Sequence, residues 1–205
     1  MSTFVYRNQN DCAMKRTILS LLFSACVMVG VAQTTTSSVK WMTFEEAVQK
    51  SNTEKRKIFI DVFTEWCGWC KVMDKNTFTD PEVAKLLNEK FYPVKFDAEQ
   101  TADVVFRGNT FKFIPSGNKG THQLAIALLN GQLSYPNFVF LDEDFRIIPI
   151  FSGSSSVPGY RKPDEFHVFL SFIGGDFFKS QNVQDFQQKM YKSPYAAIEK
   201  NTGGK

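Results

Sequence analysis

Cysteine and histidine are scarce in this chain of 205 residues, with four of the first and two of the second. Cys12 and Cys26 precede Gln33, so beyond it only Cys67 and Cys70 remain. Once the segment before Gln33 is cleaved off, that excludes a disulfide framework with any other partner and a zinc site of four cysteines. His122 and His167 stand alone and far apart, and read as packing or surface groups rather than ligands. Charge of one sign is not in excess either. The formal net charge is +3, and Arg7, Asp11, Lys15 and Arg16 supply +2 of it before Gln33. A near-neutral body argues against nucleic acid as the main partner, because binding phosphates takes clustered basic charge. No apolar run reaches the ~20 residues of a membrane span. There is no internal repeat.

Phenylalanine is what the chain has in plenty: 21, scattered through apolar runs, which predicts a phenylalanine-rich core. The length predicts one domain with a core large enough to fold unaided. At the N-terminus, Met14-Lys15-Arg16 gives a basic start and Ile18 to Ala32 an apolar run. Gly30-Val31-Ala32 then places small residues before Gln33. This is the layout of a secretory signal peptide over 1–32, with Met14 the better start. An uncleaved anchor is one alternative. A lipidated Cys26 is another, although Phe23 fits that box poorly. Export predicts a periplasmic or secreted protein that meets the membrane only transiently, or through an uncleaved segment. In that oxidising setting thiols are normally paired, so Cys67 and Cys70 are expected to cycle between dithiol and disulfide.

The remaining chain divides into a Thr/Ser-rich linker (33–40), a domain (41–191) and a flexible tail (192–205). Thr43-Phe44-Glu45-Glu46 predicts a capping box opening a helix to about Asn52. Lys57–Phe63 and Phe91–Phe96 read as buried strands. Between them, the Cys67–Cys70 segment leads into one helix, and Asp80-Pro81 caps another through about Glu89. A hairpin is expected from Val104–Phe106 and Thr110–Ile114 around Gly108-Asn109, then a helix over His122–Leu129. Phe138–Leu141 and Ile147–Phe151 read as strands joined at Asp142-Glu143-Asp144. Pro163-Asp164-Glu165 opens a helix stopping near Gly174-Gly175, and Asn182–Tyr191 predicts a last one. Strands alternating with helices, ending in a hairpin and a helix, indicate an α/β sandwich with a mixed sheet.

The chemistry lies at Cys67 and Cys70. Spaced three apart on a helix, two cysteines share a face and come within disulfide range. Cys67 would sit at the helix N-terminus, where free N–H groups and the dipole favour a thiolate. Cys70, a turn deeper, would stay protonated. The first then attacks a disulfide and the second resolves the mixed disulfide.

The run Ile60-Asp61-Val62-Phe63-Thr64-Glu65-Trp66-Cys67-Gly68-Trp69-Cys70-Lys71 resembles the active-site signature of the thioredoxin superfamily. It is similar in particular to secreted bacterial thioredoxin-like proteins with Trp as the second intervening residue. The resemblance implies a three-layer sandwich in the order strand, CxxC helix, strand, helix, cis-proline, hairpin, helix. Thioredoxin itself has Pro where this chain has Trp69, so its redox potential does not carry over. Asp61 interrupts an apolar strand six residues before Cys67. A buried carboxylate has a raised pKa and can move a proton to or from Cys70. The resemblance implies the same role, with Lys95 as its neighbour; a solvent-facing Asp61 is the alternative. It also implies that Tyr135-Pro136 is the cis-proline facing the cysteines, leaving the Tyr135 backbone free to pair with an extended client. Trp66 and Trp69 are candidates for gripping a client, with packing on the sheet the plainer alternative. The hairpin-bearing insertion, 98–120, either shapes access or decorates the fold. No cofactor beyond the Cys67–Cys70 pair is expected, and no metal. Two readings follow. One is an exported protein-disulfide oxidoreductase with disulfide-bearing clients and a membrane thiol donor. The other is a non-catalytic binding or chaperone module.

Overall fold

The computed structural model describes residues 38–151, 154 and 156–196. The signal segment 1–32, most of the 33–40 linker and the tail beyond 196 lie outside the described residues.

Thr43 opens α1 (Phe44–Thr53) with a complete capping box, its hydroxyl accepting from Glu46 and the Glu46 carboxylate accepting from Thr43. The apolar run forms β1 (Lys57–Phe63). Next come α2 (Gly68–Asn76) and α3 (Pro81–Lys90), the latter capped by Asp80 with Pro81 in its first turn. After β2 (Phe91–Asp97) the chain makes two small hairpins, β3 (Val104–Phe106) with β4 (Asn109–Phe111) and β5 (Phe113–Ser116) with β6 (Lys119–His122). Then follow α4 (Gln123–Leu128), β7 (Asn137–Leu141), β8 (Val157–Pro158), α5 (Pro163–Gly174), a 3₁₀ turn (Phe177–Lys179) and α6 (Val183–Lys189).

The central sheet runs β2-β1-β7-β8, with β1 parallel to β2 and antiparallel to β7, and β7 antiparallel to β8. Side chains alternate across β1. Ile58, Ile60 and Val62 face one core, with Phe44 and Ala47 of α1 and Leu124 and Leu128 of α4. Phe59 faces the other, with Met73 of α2, Val83 and Leu87 of α3 and Phe166 and Leu170 of α5. Helices thus cover both faces of a mixed sheet, the expected thioredoxin-like three-layer sandwich. The core is as phenylalanine-rich as expected: Phe59, Phe91, Phe96, Phe138, Phe140, Phe166 and Phe172 are fully buried. Because strand side chains alternate with a period of two, Asp61 shares the face of Phe59, on the side covered by α2.

Four details differ from expectation. Ile147–Phe151 is not a strand: it makes only isolated bridges, Ile147 to Leu141 and Phe151 to Ser154, with Ile148 N–H donating to Phe140. Pro149 follows, with no N–H to donate to a continued ladder, and Val157–Pro158 pairs with the start of β7. The insertion holds two hairpins rather than one. The first turns on Arg107 and Gly108, both at positive φ (50° and 78°) as a two-residue hairpin turn requires, and the expected strand Thr110–Ile114 breaks after Phe111. The fold also takes in residues ahead of 41, since Val39 is buried in the core and Asn88 holds both Ser38 and Lys40. Finally, the start of the expected tail is docked, Tyr195 donating to Asp80 at 2.6 Å.

Candidate functional site

Cys67 is the N-cap of α2. Its backbone is extended (φ −71°, ψ 105°), and its Sγ accepts from the Cys70 N–H at 3.1 Å. The cap needs an acceptor there because the first turn of a helix has no internal partners for its N–H groups. Gly68 follows with open space around it. Cys67 and Cys70 are joined in a disulfide, with Cα atoms 5.3 Å apart. Both cysteines are buried, at 4% and 2% exposure. When the bond is reduced, the same N–H group and the same helix terminus would support a thiolate on Cys67.

Beneath α2 lies a charged cluster. Asp61 and Lys95 are register partners on β1 and β2, and Lys95 Nζ donates to Asp61 Oδ2 at 2.6 Å. The same ammonium pairs with Asp74 on α2. Asp74 stands four residues after Cys70 and so lies on the same helix face. Trp41, Phe63 and Phe78 surround the Lys95 ammonium, with ring centroids 5.2, 4.8 and 5.2 Å away. Asp61 is 1% exposed, and its Oδ1 has no partner. Burial pushes its carboxyl up to about 6, against the pull of Lys95 and with a further push from Asp74. An acid of that strength takes up and releases protons near neutral pH, as a proton store for a thiol requires.

Above the cysteines the surface is aromatic. Trp66 and Trp69 are exposed at 59% and 62%, so Trp66 does not pack under the sheet. Each carries a tyrosine beside it: Trp66 meets Tyr135 edge-on at 5.9 Å, and Trp69 meets Tyr160 at 5.5 Å. The Tyr135–Pro136 bond is cis. Burial, and after it the carboxylates of Glu99 and Asp97, raise the Tyr135 pKa, which keeps the phenol neutral. Lys119 from the second hairpin places its ammonium 5.4 Å from the Trp66 ring.

The structure thus gathers the sequence candidates into two sets: Asp61 with Lys95 below the helix, and Trp66 with Tyr135, and Trp69, above it. Three neighbours escaped the sequence reading. Asp74 had a signal, its helical spacing from Cys70. Tyr160 and Lys119 had none, since each arrives from far along the chain. His122 follows the packing rather than the surface alternative. It is fully buried and caps α4, its Nδ1 accepting from Leu124 N–H at 3.2 Å while Nε2 meets the Ala102 carbonyl at 3.1 Å. Among the described residues, no helix is long and apolar enough to cross a membrane.

Comparison with known proteins places these features. An uncharacterized protein of Caenorhabditis elegans, B0495.5, is 32% identical over 128 residues, covering 62% of this chain and 15% of that protein. Human spermatogenesis-associated protein 20 is 37% identical over 67 residues, 32% of this chain and 8% of its own length. The thiol:disulfide interchange protein DsbD of Colwellia psychrerythraea is 31% identical over 65 residues, 30% of this chain and 11% of its own. This chain therefore spans only a small part of those relatives. Among solved structures, a DsbH oxidoreductase superposes with a TM-score of 0.47 at 16% identity, covering 70% of this chain and 87% of that one. A thioredoxin-fold protein from Helicobacter pylori gives 0.48 at 17%, covering 82% and 91%. The profile of the Thioredox_DsbH family, described as a protein of unknown function, DUF255, matches residues 29–167. With most of its length matched, the chain belongs to the Thioredox_DsbH family.

Proposed function

We propose that this protein is an exported thiol–disulfide oxidoreductase that reduces or exchanges disulfides of client proteins through Cys67 and Cys70. The observation that carries the reading is the Cys67–Cys70 disulfide, with Cys67 itself the N-cap of α2. A helix N-terminus lowers the pKa of a thiol and makes it the attacking group. In the forward direction the Cys67 thiolate bonds to one client sulfur and expels the other as a thiolate. The Cys70 sulfur then attacks Cys67, which releases the client as a dithiol and closes the protein disulfide. Two electrons pass to the client, and a thiol donor, by our reading a membrane protein, restores the dithiol. Asp61, buried and unpartnered at Oδ1, would take the Cys70 proton as that thiol becomes a nucleophile, with Lys95 holding it in place. Trp66, Trp69 and Tyr135 would hold the client, whose extended backbone would pair beside Pro136.

Export rests on the basic start and apolar run before Gln33, together with a cysteine pair suited to an oxidising compartment. Insulin reduction by dithiothreitol tests the activity. The wild-type domain should accelerate precipitation of the insulin B chain, and Cys67→Ser should not. Equal, uncatalysed rates for both would leave a binding module of this fold as the remaining reading.

A further inference from the structure

The second hairpin of the insertion has two unlike faces. Phe113, Pro115, Gly120 and His122 lie on one and Ile114, Ser116, Lys119 and Thr121 on the other, as the register dictates. The first face is packed apart from the exposed Pro115. His122 is fully buried, and Gly120 leaves room for the Phe113 ring, whose Cζ lies 2.1 Å from where a Cβ would stand. The second face is turned to the site, because Lys119 lies over Trp66, the residue before Cys67. Ile114 on that face is 43% exposed. Some lysines of the fold find carboxylates, as Lys57 does in Glu143 and Asp176, Lys95 in Asp61 and Asp74, and Lys112 in Asp103. Among the described residues, Lys119 has only the indole ring. It is thus a cation without a counter-ion, held against the exposed ring of the residue that precedes Cys67.

We propose that the β5–β6 hairpin is the specificity wall of the exchange site, and that Lys119 selects disulfides with a carboxylate close to the sulfur. This rests on the exchange reading above. A client of that class is an extended segment with Asp or Glu beside its cysteine. Its carboxylate would sit against Lys119 while its backbone runs past Tyr135. The carboxylates of Glu99 and Asp97 act on Tyr135, so without Lys119 they would repel the same client.

Small disulfides of different charge separate this from a packing role. The protein is reduced with dithiothreitol, freed of it, and mixed with oxidised glutathione (anionic), cystamine (cationic) or bis(2-hydroxyethyl) disulfide (neutral). In each reaction the dithiol gives two electrons to the probe, closing the Cys67–Cys70 bond and releasing two thiols. The readout is the ratio of the glutathione to the cystamine rate constant. Two unit charges about 8 Å apart in water change a rate about two- to threefold, in opposite directions for probes of opposite charge. Lys119→Met should therefore lower the ratio roughly fivefold and Lys119→Glu further, while Lys119→Arg should restore it. Salt at about 0.5 M should flatten the series. An unchanged ratio in Lys119→Met and Lys119→Glu would overturn the assignment of Lys119 while leaving the exchange reading intact. If the reduced wild type reacts with none of the three probes, the exchange reading falls and the selection with it.

Discussion

Replacing Asp61 by Asn should make the protein more stable at neutral pH, although it removes an ion pair. The carboxyl is pushed up to about 6 by burial, against an ordinary 3.8. Between those values the folded protein holds a proton that the unfolded chain has released. Stability from this group is therefore complete below about pH 4 and lost as pH rises through 6. A shift of about two units, at about 1.36 kcal/mol each, comes to about 3 kcal/mol. Asn is neutral at every pH and nearly the same shape, and in the variant Lys95 still has Asp74 as a counter-ion. We expect Asp61→Asn to exceed the wild type by about 2–3 kcal/mol at about pH 7.5, with the gap closing toward about pH 4. Urea unfolding of the oxidised proteins, followed by tryptophan fluorescence at several pH values, measures the difference and cancels titrations the two share. If the variant is no more stable at neutral pH, or if its advantage grows on acidification, the ionised Asp61 is not the costly buried charge described.

Further outcomes are expected. Reduced Cys67 should be alkylated by iodoacetamide with a midpoint well below the ~8.5 of a free thiol, because its sulfur accepts from the Cys70 N–H at a helix N-terminus. A midpoint at or above that value would remove it as the attacking group. Cys70→Ser should leave client proteins disulfide-linked to Cys67, and Cys67→Ser should not; equal trapping would void the division of roles. Phe59→Ala should cost about 3–5 kcal/mol in unfolding experiments, since its buried ring meets Trp41, Phe78, Phe138, Phe140 and Phe166. A loss below about 1 kcal/mol would mean the core on that face closes around the cavity.

Local signals carried much of this fold into view. The capping box at Thr43 and the Asp80-Pro81 start are short-range hydrogen-bond chemistry, and both helices begin where that chemistry requires. Asp61 stood out as a carboxylate inside a buried strand, and its pairing with Lys95 was implied by the resemblance to thioredoxins. Long-range choices were not legible in the same way. Ile147 reaches the end of β7 at Leu141 and Val157–Pro158 pairs with its start at Phe138 and Asn137, a division that no local pattern marks. The split of the insertion at Lys112 depends on where Phe113 packs, over a glycine that no local pattern pairs with it. Tyr160 and Lys119 reach the two tryptophans from distant segments, so the aromatic rim became visible only with the chain folded. The exposure of Trp66 has the same origin: among the described residues no segment covers it, which composition cannot tell.

The central claim is that Cys67 and Cys70 form one two-electron couple. Equilibrating the protein in dithiothreitol buffers of graded ratio, with Trp66 and Trp69 as fluorescent reporters beside the pair, measures that couple directly. A single transition is predicted, with the slope of about 30 mV per tenfold change that two electrons require, and near −270 mV for a reductant. It should be absent from both Cys67→Ser and Cys70→Ser. A pair that stays oxidised or stays reduced across the whole range, or a transition that survives loss of either cysteine, would contradict the account.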